Sequence, residues 1–225
     1  MVSVAIHFSE DDREQINQAV QKAESLTSAE IIPVVSASSG RYDRAEDIIG
    51  VWLAGIFMVS AWVIFPMPQQ VSGDWEATHP VWQLVAILFA GLVGFIVGAI
   101  VGSHWFALRR LFTPAKQMSE EVYLKARQVF FDNRVHHTSG ATGVLLYVSL
   151  YEHRAVVIAD QQVLDKIDQA GLDALCAEFT TRLHTEPITA ALCETIQHLG
   201  ERLATELPAT DGDKNELPNA LVVLE

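Results

Sequence analysis

Two short stretches of the sequence hold polar side chains that could bind a ligand or a partner. His136, His137 and Thr138 follow a long segment with helical apolar spacing, and imidazole nitrogens bind metals and anions. His153 and Arg154 lie in a polar turn between two apolar segments, and arginine binds carboxylates and phosphates in a forked geometry. We take these five residues as candidates for ligand or partner contact. A cationic histidine at a helix end and a solvated turn are sufficient structural explanations of the same residues, and we favour them over a contact role.

Two carboxylates are the candidate metal ligands. Glu30 begins the first predicted strand and Asp160 ends the third, and side chains at strand ends line the ligand crevices of open α/β sheets. Surface turns place carboxylates at the same positions. No EF-hand loop, glycine-rich phosphate loop or zinc-type Cys/His spacing is present. We therefore assign no catalytic residue and find no cofactor evident, and we expect Cys176 and Cys193 to be reduced, buried thiols.

The charge of the chain excludes one class of partner. The formal net charge is −13, with 28 acidic against 15 basic residues. Binding of nucleic acid needs clustered lysine and arginine to neutralise phosphates, so we expect no nucleic-acid partner.

Two apolar segments predict a membrane hairpin. The first, Ile48 to Phe65, contains Ser60 and no charge, and the second, Leu84 to Val101, contains no polar side chain. Eighteen helical residues reach about 27 Å, close to the thickness of the bilayer core. With the flanking Trp105 included, we place the spans at 48–65 and 84–105, joined by an outer loop at 66–80. The lipid bilayer is therefore an expected partner.

Basic residues at the flanks of the spans predict the orientation. Arg41 and Arg44 precede the first span, and Arg109, Arg110 and Lys116 follow the second, whereas the loop between them has neither lysine nor arginine. By the positive-inside tendency both termini face the cytoplasm. The N-terminus also lacks the basic start and the longer apolar run of a signal peptide.

Glycines at four-residue spacing mark one face of the second span. Gly94, Gly98 and Gly102 form a groove that another backbone can approach closely. Two alternatives remain open at this point. The groove packs against the first span within the chain, or it forms a homodimer.

The remaining residues predict an α/β domain on both sides of the hairpin. A helix follows Ser9, a strand follows Ala29, and Pro33 suggests that this strand is an edge or contains a bulge. After the spans come a long helix, two strands at Thr142–Leu150 and Ala155–Ala159, and further helices to Leu207. A single strand is not stable alone, so both parts must fold together. We divide the chain into 1–47 and 109–207 as two parts of one domain, 48–108 as the membrane hairpin, and 208–225 as a flexible acidic tail.

Three stretches of this sequence resemble the TPM-domain family, small α/β/α domains of bacterial and thylakoid membrane proteins. They are FSEDDREQINQAVQKAESLTSAEIIPVVS, ARQVFFDNRVHHTSGATGVLLYVSLYEHRAVVIAD and the helical end. The run from Gly143 to Asp160 matches the family pattern of a Gly-Val-Leu-Leu strand, a short charged turn and a valine-rich strand. The resemblance implies a three-layer α/β/α domain with a small sheet, here interrupted by a transmembrane helical hairpin. Many relatives place this domain outside the cell or in a lumen behind a signal peptide, whereas the two spans predict here a multi-pass protein of the bacterial inner membrane with its domain in the cytoplasm.

The resemblance implies two classes of function. Relatives that assemble or repair membrane complexes imply a binding or maintenance module for membrane-associated proteins. A plant relative described as a calcium-binding acid phosphatase implies Ca²⁺ and a divalent-metal-dependent, phosphatase-like hydrolase. Because no phosphate loop or metal spacing occurs, we expect the binding module and retain the hydrolase as the alternative.

Overall fold

The chain has an α/β fold, as predicted. The computed structural model describes residues 8–64, 81–105, 110–138, 140–209 and 216–224. The strands are β1 (Glu30–Ser36), β2 (Gly143–Ser149), β3 (Arg154–Ala159) and β4 (Val222–Leu224). The helices are α1 (Glu10–Glu24), α2 (Asp43–Ile64), α3 (Val81–His104), α4 (Ala115–Asp132), α5 (Gln161–Leu164), α6 (Gln169–Arg182) and α7 (Ile188–Glu206).

The strands form one mixed sheet with the order β3-β2-β1-β4. β1 and β2 are parallel over their full length, from the pair Glu30–Gly143 to the pair Ser36–Ser149. β3 is antiparallel to β2, and β4 is parallel to β1. Every residue of β1 and β2 is buried, as expected for strands of a sheet that is covered on both faces.

Apolar side chains pack on both faces of the sheet. On one face, residues of α1, α6 and α7 such as Ile16, Phe179 and Leu199 form a cluster with Leu146. On the other face, Val122 and the other buried residues of α4 pack against Leu145 and Tyr147 in a second cluster. Successive residues of a strand point to opposite faces, so neighbouring β2 residues belong to different clusters.

The predicted helix start after Ser9 is confirmed. The Ser9 hydroxyl accepts a hydrogen bond from the Asp12 N–H (3.1 Å), and the Asp12 carboxylate accepts one from the Ser9 N–H (3.0 Å). This capping box satisfies two backbone donors and starts α1 at Glu10. At the last helix, Pro187 precedes the first helical residue of α7, where its missing N–H costs nothing.

The prediction that the first strand is an edge is wrong at Val34–Ser36, where β1 lies between β2 and β4, and the alternative of a bulge is wrong because β1 pairs with β2 in continuous register. The Ile31 N–H donates to the Glu24 carboxylate (2.9 Å), so this side of β1 faces away from β2. Pro33, two residues on, has its nitrogen on the same side. β4 pairs only with Val34–Ser36. Proline is tolerated because, among the described residues, no strand pairs with the outer side of β1 at this position.

The prediction of a flexible tail is wrong for residues 216–224. Val222–Leu224 form β4 on the outer side of β1, and Leu221 is buried in the core. The run of large apolar residues that drives this pairing, Leu221–Leu224, is only four residues long, too short to be separated from a polar linker in the sequence. Residues 210–215 lie outside the described residues.

The chain divides into two compact units. One consists of Ser3–Gly40 and Lys116–Glu225, and the other contains Arg41–Ala115. In the second unit, α2 and α3 are long and apolar enough to cross a membrane, at Glu46–Ile64 and Val81–His104, with 17% of each apolar window buried. The predicted outer loop at 66–80 lies outside the described residues.

Candidate functional site

A polar cluster lies where β1 and β2 end. Because the strands are parallel, Ser36 and Ser149 are opposite each other at the same end of the sheet. The Ser39 hydroxyl lies 2.9 Å from the Tyr147 hydroxyl and donates to the Ser149 hydroxyl over 2.8 Å. Ligands of open α/β sheets bind at the carboxyl ends of the strands, so this cluster is a candidate ligand-binding or catalytic site.

Glu152 closes this cluster from the hairpin turn. Its carboxylate accepts hydrogen bonds from the backbone N–H of Ser39 (2.9 Å) and of Gly40 (3.3 Å) and from the Ser149 hydroxyl. The side chain is buried, although the sequence places it in a polar turn. Sequence reasoning missed Glu152. The signal that could have indicated it is that each of the two apolar strands ends in a serine, Ser36 in β1 and Ser149 in β2.

The cluster positions a segment of backbone. Burial raises the pKa of the Tyr147 hydroxyl, so it stays protonated. The carboxylate oxygens of Glu152 already accept hydrogen bonds from groups of the same domain. The residues of this cluster include neither a histidine nor a lysine that could act as a base. These bonds hold residues 36–40, the last of the domain before the chain enters the other unit.

His153 and Arg154 line a cavity of about 250 Å³ beside β3. His153 has a left-handed backbone, with φ 53°, which turns the chain from β2 into β3. The opposite wall comes from α6. The cavity brings the two predicted contact residues together, and an arginine beside a histidine suits a carboxylate or another anionic group. The residues lining the cavity are His153, Arg154, Ala155, Asp173, Cys176, Ala177 and Thr180.

Cys176 in this cavity is separated from Arg182 by five residues, as are the cysteine and arginine of the Cys-x5-Arg loop of cysteine phosphatases. Here both residues lie in the continuous helix α6, where the intervening backbone N–H groups bond within the helix. Burial raises the pKa of the Cys176 thiol to about 12, whereas a nucleophile needs a lowered pKa. Arg182 binds the carboxylates of Glu178 and Glu194. This geometry does not suit phosphoryl transfer.

His136 and His137 lie in a short 3-10 turn after α4 (Val135–His137). The His136 ring packs edge-on against the rings of Phe131 and His137, with centroid distances of 5.1 Å and 4.4 Å. Its Nδ1 is buried without a hydrogen-bond partner among the described residues. The Thr138 hydroxyl accepts from the Thr142 N–H (2.9 Å) and so fixes the turn before β2. The three residues are adjacent to one another, and none of them lines the cavity of His153 and Arg154.

Glu30 and Asp160 lie at the same end of the sheet, on opposite sides of Gly143, and each has a separate role. Glu30 accepts from the backbone N–H of Glu216 (3.3 Å), and Asp160 caps α5 by accepting from the Gln161 N–H (2.8 Å). In the described part of the chain, no group of three or more His, Cys, Asp or Glu residues could hold a metal ion.

The glycines of α3 pack against α2 within the same chain. A Cβ on Gly98 would lie 2.7 Å from the Cα of Gly50, and one on Gly94 would lie 2.8 Å from the carbonyl oxygen of Leu53. Gly102 faces α2 as well, because a Cβ added to it would lie 3.2 Å from the Cα of Glu46. The face is therefore occupied inside the chain. A homodimer through the same glycines would first have to displace α2.

Comparison with known protein families and with curated proteins finds no match to this sequence. Among solved structures, the chain is similar to the NMR structure of the BA42 protein from the psychrophilic bacterium Bizionia argentinensis. The TM-score is 0.56 at 15% sequence identity, and the match covers 99% of each chain. A likeness at this identity concerns the fold alone, and it supports the α/β assignment.

Proposed function

We propose that the protein is a membrane-anchored TPM-like module that binds membrane-associated proteins or helps to assemble and maintain them. The observation that carries the proposal is the pairing of β1 with β2. These strands flank two long apolar helices in the sequence, yet they form one parallel ladder. Such an insertion holds the domain at a surface by both of its connections rather than by a single tether.

In this proposal the helices α2 and α3 cross the inner membrane of a bacterium as a hairpin. The apolar side chains that point away from the helix pair suit lipid, and the basic residues at 41, 44, 109, 110 and 116 favour the cytoplasm for both termini. The α/β domain then lies in the cytoplasm, with clusters of apolar residues on both faces of its sheet in the three-layer arrangement that the TPM resemblance implies.

The partner-contact surface in this proposal is the cavity beside β3. It offers a guanidinium and an imidazole at the turn between β2 and β3. A carboxylate from a partner protein would form charge-assisted hydrogen bonds with Arg154. A domain with buried hydroxyls and a buried thiol, but without a clustered metal site in its described residues, suits binding better than hydrolysis.

Site-directed crosslinking in native membranes tests this function. A photoreactive amino acid replacing Thr180, on the cavity wall, should give discrete adducts with a membrane-associated protein. The same substitution at Gln128, on the exposed side of α4, is the matched control and should give none. Adding Arg154→Glu should abolish the adducts. Turnover of phosphate esters by the full chain in Ca²⁺ or Mn²⁺, with no adducts from Thr180, would favour the hydrolase instead.

A further inference from the structure

Residues 216–224 lie along the outer edge of β1, and the last three of them are a strand. Val222, Val223 and Leu224 pair with Val34–Ser36, and the Ala37 N–H donates to the Leu224 carbonyl (3.0 Å). Their side chains alternate between the two faces of the sheet. Leu221 and Val223 pack into one apolar cluster, and Leu217, Val222 and Leu224 pack against the other.

Two carboxylates meet the first half of this segment. Glu24 accepts a hydrogen bond from the side-chain amide of Asn219 (2.6 Å) while its other oxygen accepts from the Ile31 N–H (2.9 Å). Glu30 accepts from the N–H of Glu216 (3.3 Å) and of Leu217 (3.4 Å). The edge of β1, Glu24 and Glu30 together form what we call the β1-edge groove.

The charge of the groove does not match the segment that occupies it. Burial, together with the nearby charge of Glu30, raises the pKa of Glu24 to about 7. Among the described residues Glu24 makes no ion pair, and the segment brings an uncharged amide and the acidic Glu216 to this place. A cation opposite Glu24 would instead stabilise both carboxylates, because opposite charges attract strongly where water is excluded.

We propose that the β1-edge groove is a binding site for extended apolar peptides that carry a lysine or arginine opposite Glu24, and that residues 216–224 occupy it when no such peptide is bound. The binding mode is addition of a strand to a sheet edge. Backbone hydrogen bonds supply affinity, and alternate side chains supply specificity. The groove lies at the sheet edge opposite the cavity beside β3, so it does not depend on that site.

Peptide binding to the full chain in detergent micelles tests the proposal. The probes are capped peptides of residues 215–225 with Asn219 unchanged, with Asn219→Lys and with Asn219→Asp. The acceptor is the Leu221→Asp chain, in which the occupying segment is expelled by a charge at a buried position. We expect the lysine peptide to bind about tenfold more tightly than the aspartate peptide, a difference of about 1.4 kcal/mol. Adding Glu24→Gln and Glu30→Gln to the acceptor should reduce this ratio to below about threefold.

If the Leu221→Asp chain does not fold, hydrogen exchange tests whether a cation opposite Glu24 strengthens binding in the β1-edge groove. In the otherwise unchanged chain, the Ala37 amide, which binds Leu224, should exchange more slowly with Asn219→Lys and faster with Asn219→Asp. Equal exchange rates in the two variants overturn the proposal. So does a folded Leu221→Asp chain that binds none of the peptides, or one that binds all three equally.

Discussion

The two compact units of this chain place large and small apolar residues in opposite ways. In the α/β unit, large side chains such as Leu146 and Phe179 are fully buried. In the helical hairpin, glycines are buried between the helices, and large side chains point outward, with Trp52 66% and Phe89 65% exposed. Burial of apolar area stabilises a fold in water, whereas helices in lipid associate through close backbone contact.

The opposite placement of large apolar side chains suits the two units to different surroundings. A core helix of a water-soluble protein would turn its large apolar side chains inward and would be mostly buried. α2 and α3 turn theirs outward, which is the arrangement that a bilayer stabilises. Substitutions with matched controls in each unit test this difference in the burial of apolar side chains.

The largest effect is expected from Leu146→Asp. The side chain is fully buried in β2, and an unpaired charge there should cost more than about 4 kcal/mol and prevent folding of the α/β unit. Leu124→Asp on α4 is the control, because Leu124 is 58% exposed and should tolerate the change. Protease resistance of the full chain in detergent separates the two. Similar resistance in both variants would mean that β2 is not a central strand.

Removal of the buried carboxylate should be next in size. Glu152→Ala leaves the Ser39 N–H, the Gly40 N–H and the Ser149 hydroxyl without their acceptor, which should cost about 3 kcal/mol. Glu152→Gln retains one acceptor oxygen and should cost about half as much. Thermal unfolding measures both. Equal stability of Glu152→Ala and the unchanged chain would show that the cluster does not fix residues 36–40.

A smaller effect is expected inside the hairpin. Gly98→Leu would force a Cβ to within 2.7 Å of the Cα of Gly50 and push the helices apart, at a cost of about 2 kcal/mol. Gly55→Leu adds the same atoms to the outer side of α2, where nothing lies within 4 Å of a Cβ. Stability of the two variants in micelles should therefore differ. Equal loss in both would contradict the packing of α3 against α2.

The smallest effect concerns Glu24. Its pKa is raised from 4.5 to about 7, so its contribution to stability is fully present below pH 4.5 and is lost as the pH rises through about 7. Glu24→Gln stays uncharged, so it should gain about 1 kcal/mol relative to the unchanged chain between pH 5 and pH 8. The control Glu14→Gln, on the exposed side of α1, should show no such trend. A constant difference across this pH range would contradict the burial of the Glu24 charge.

Most of the fold could be predicted from local patterns. The cap at Ser9 and the continuous apolar run of β2 follow from chemistry that neighbours in sequence determine. β4 could not be predicted, because its three residues form a strand only when β1 is present to pair with them. The edge assignment of β1 failed at Val34–Ser36 for the same reason, and Pro33 is tolerated because β4 does not reach it.

The candidate site was less accessible to sequence reasoning. His153 and Arg154 were found because they interrupt two apolar strands, and the structure places them on one cavity. Glu152, their neighbour, looks equally solvated in the sequence. Its burial depends on Ser39 and Gly40, more than 100 residues away, whose N–H groups it binds. Long-range hydrogen bonds of this kind leave no periodic signal.

The orientation of the hairpin tests the central claim most directly. In the full chain, a reporter active only in the cytoplasm is fused after Glu225, and the same reporter is inserted in the segment from Gln69 to His79. We predict activity after Glu225 and none in the segment. The basic residues precede the first span and follow the second, and such residues favour the cytoplasm. Activity at both positions would contradict the account, since α2 and α3 would then not cross a membrane.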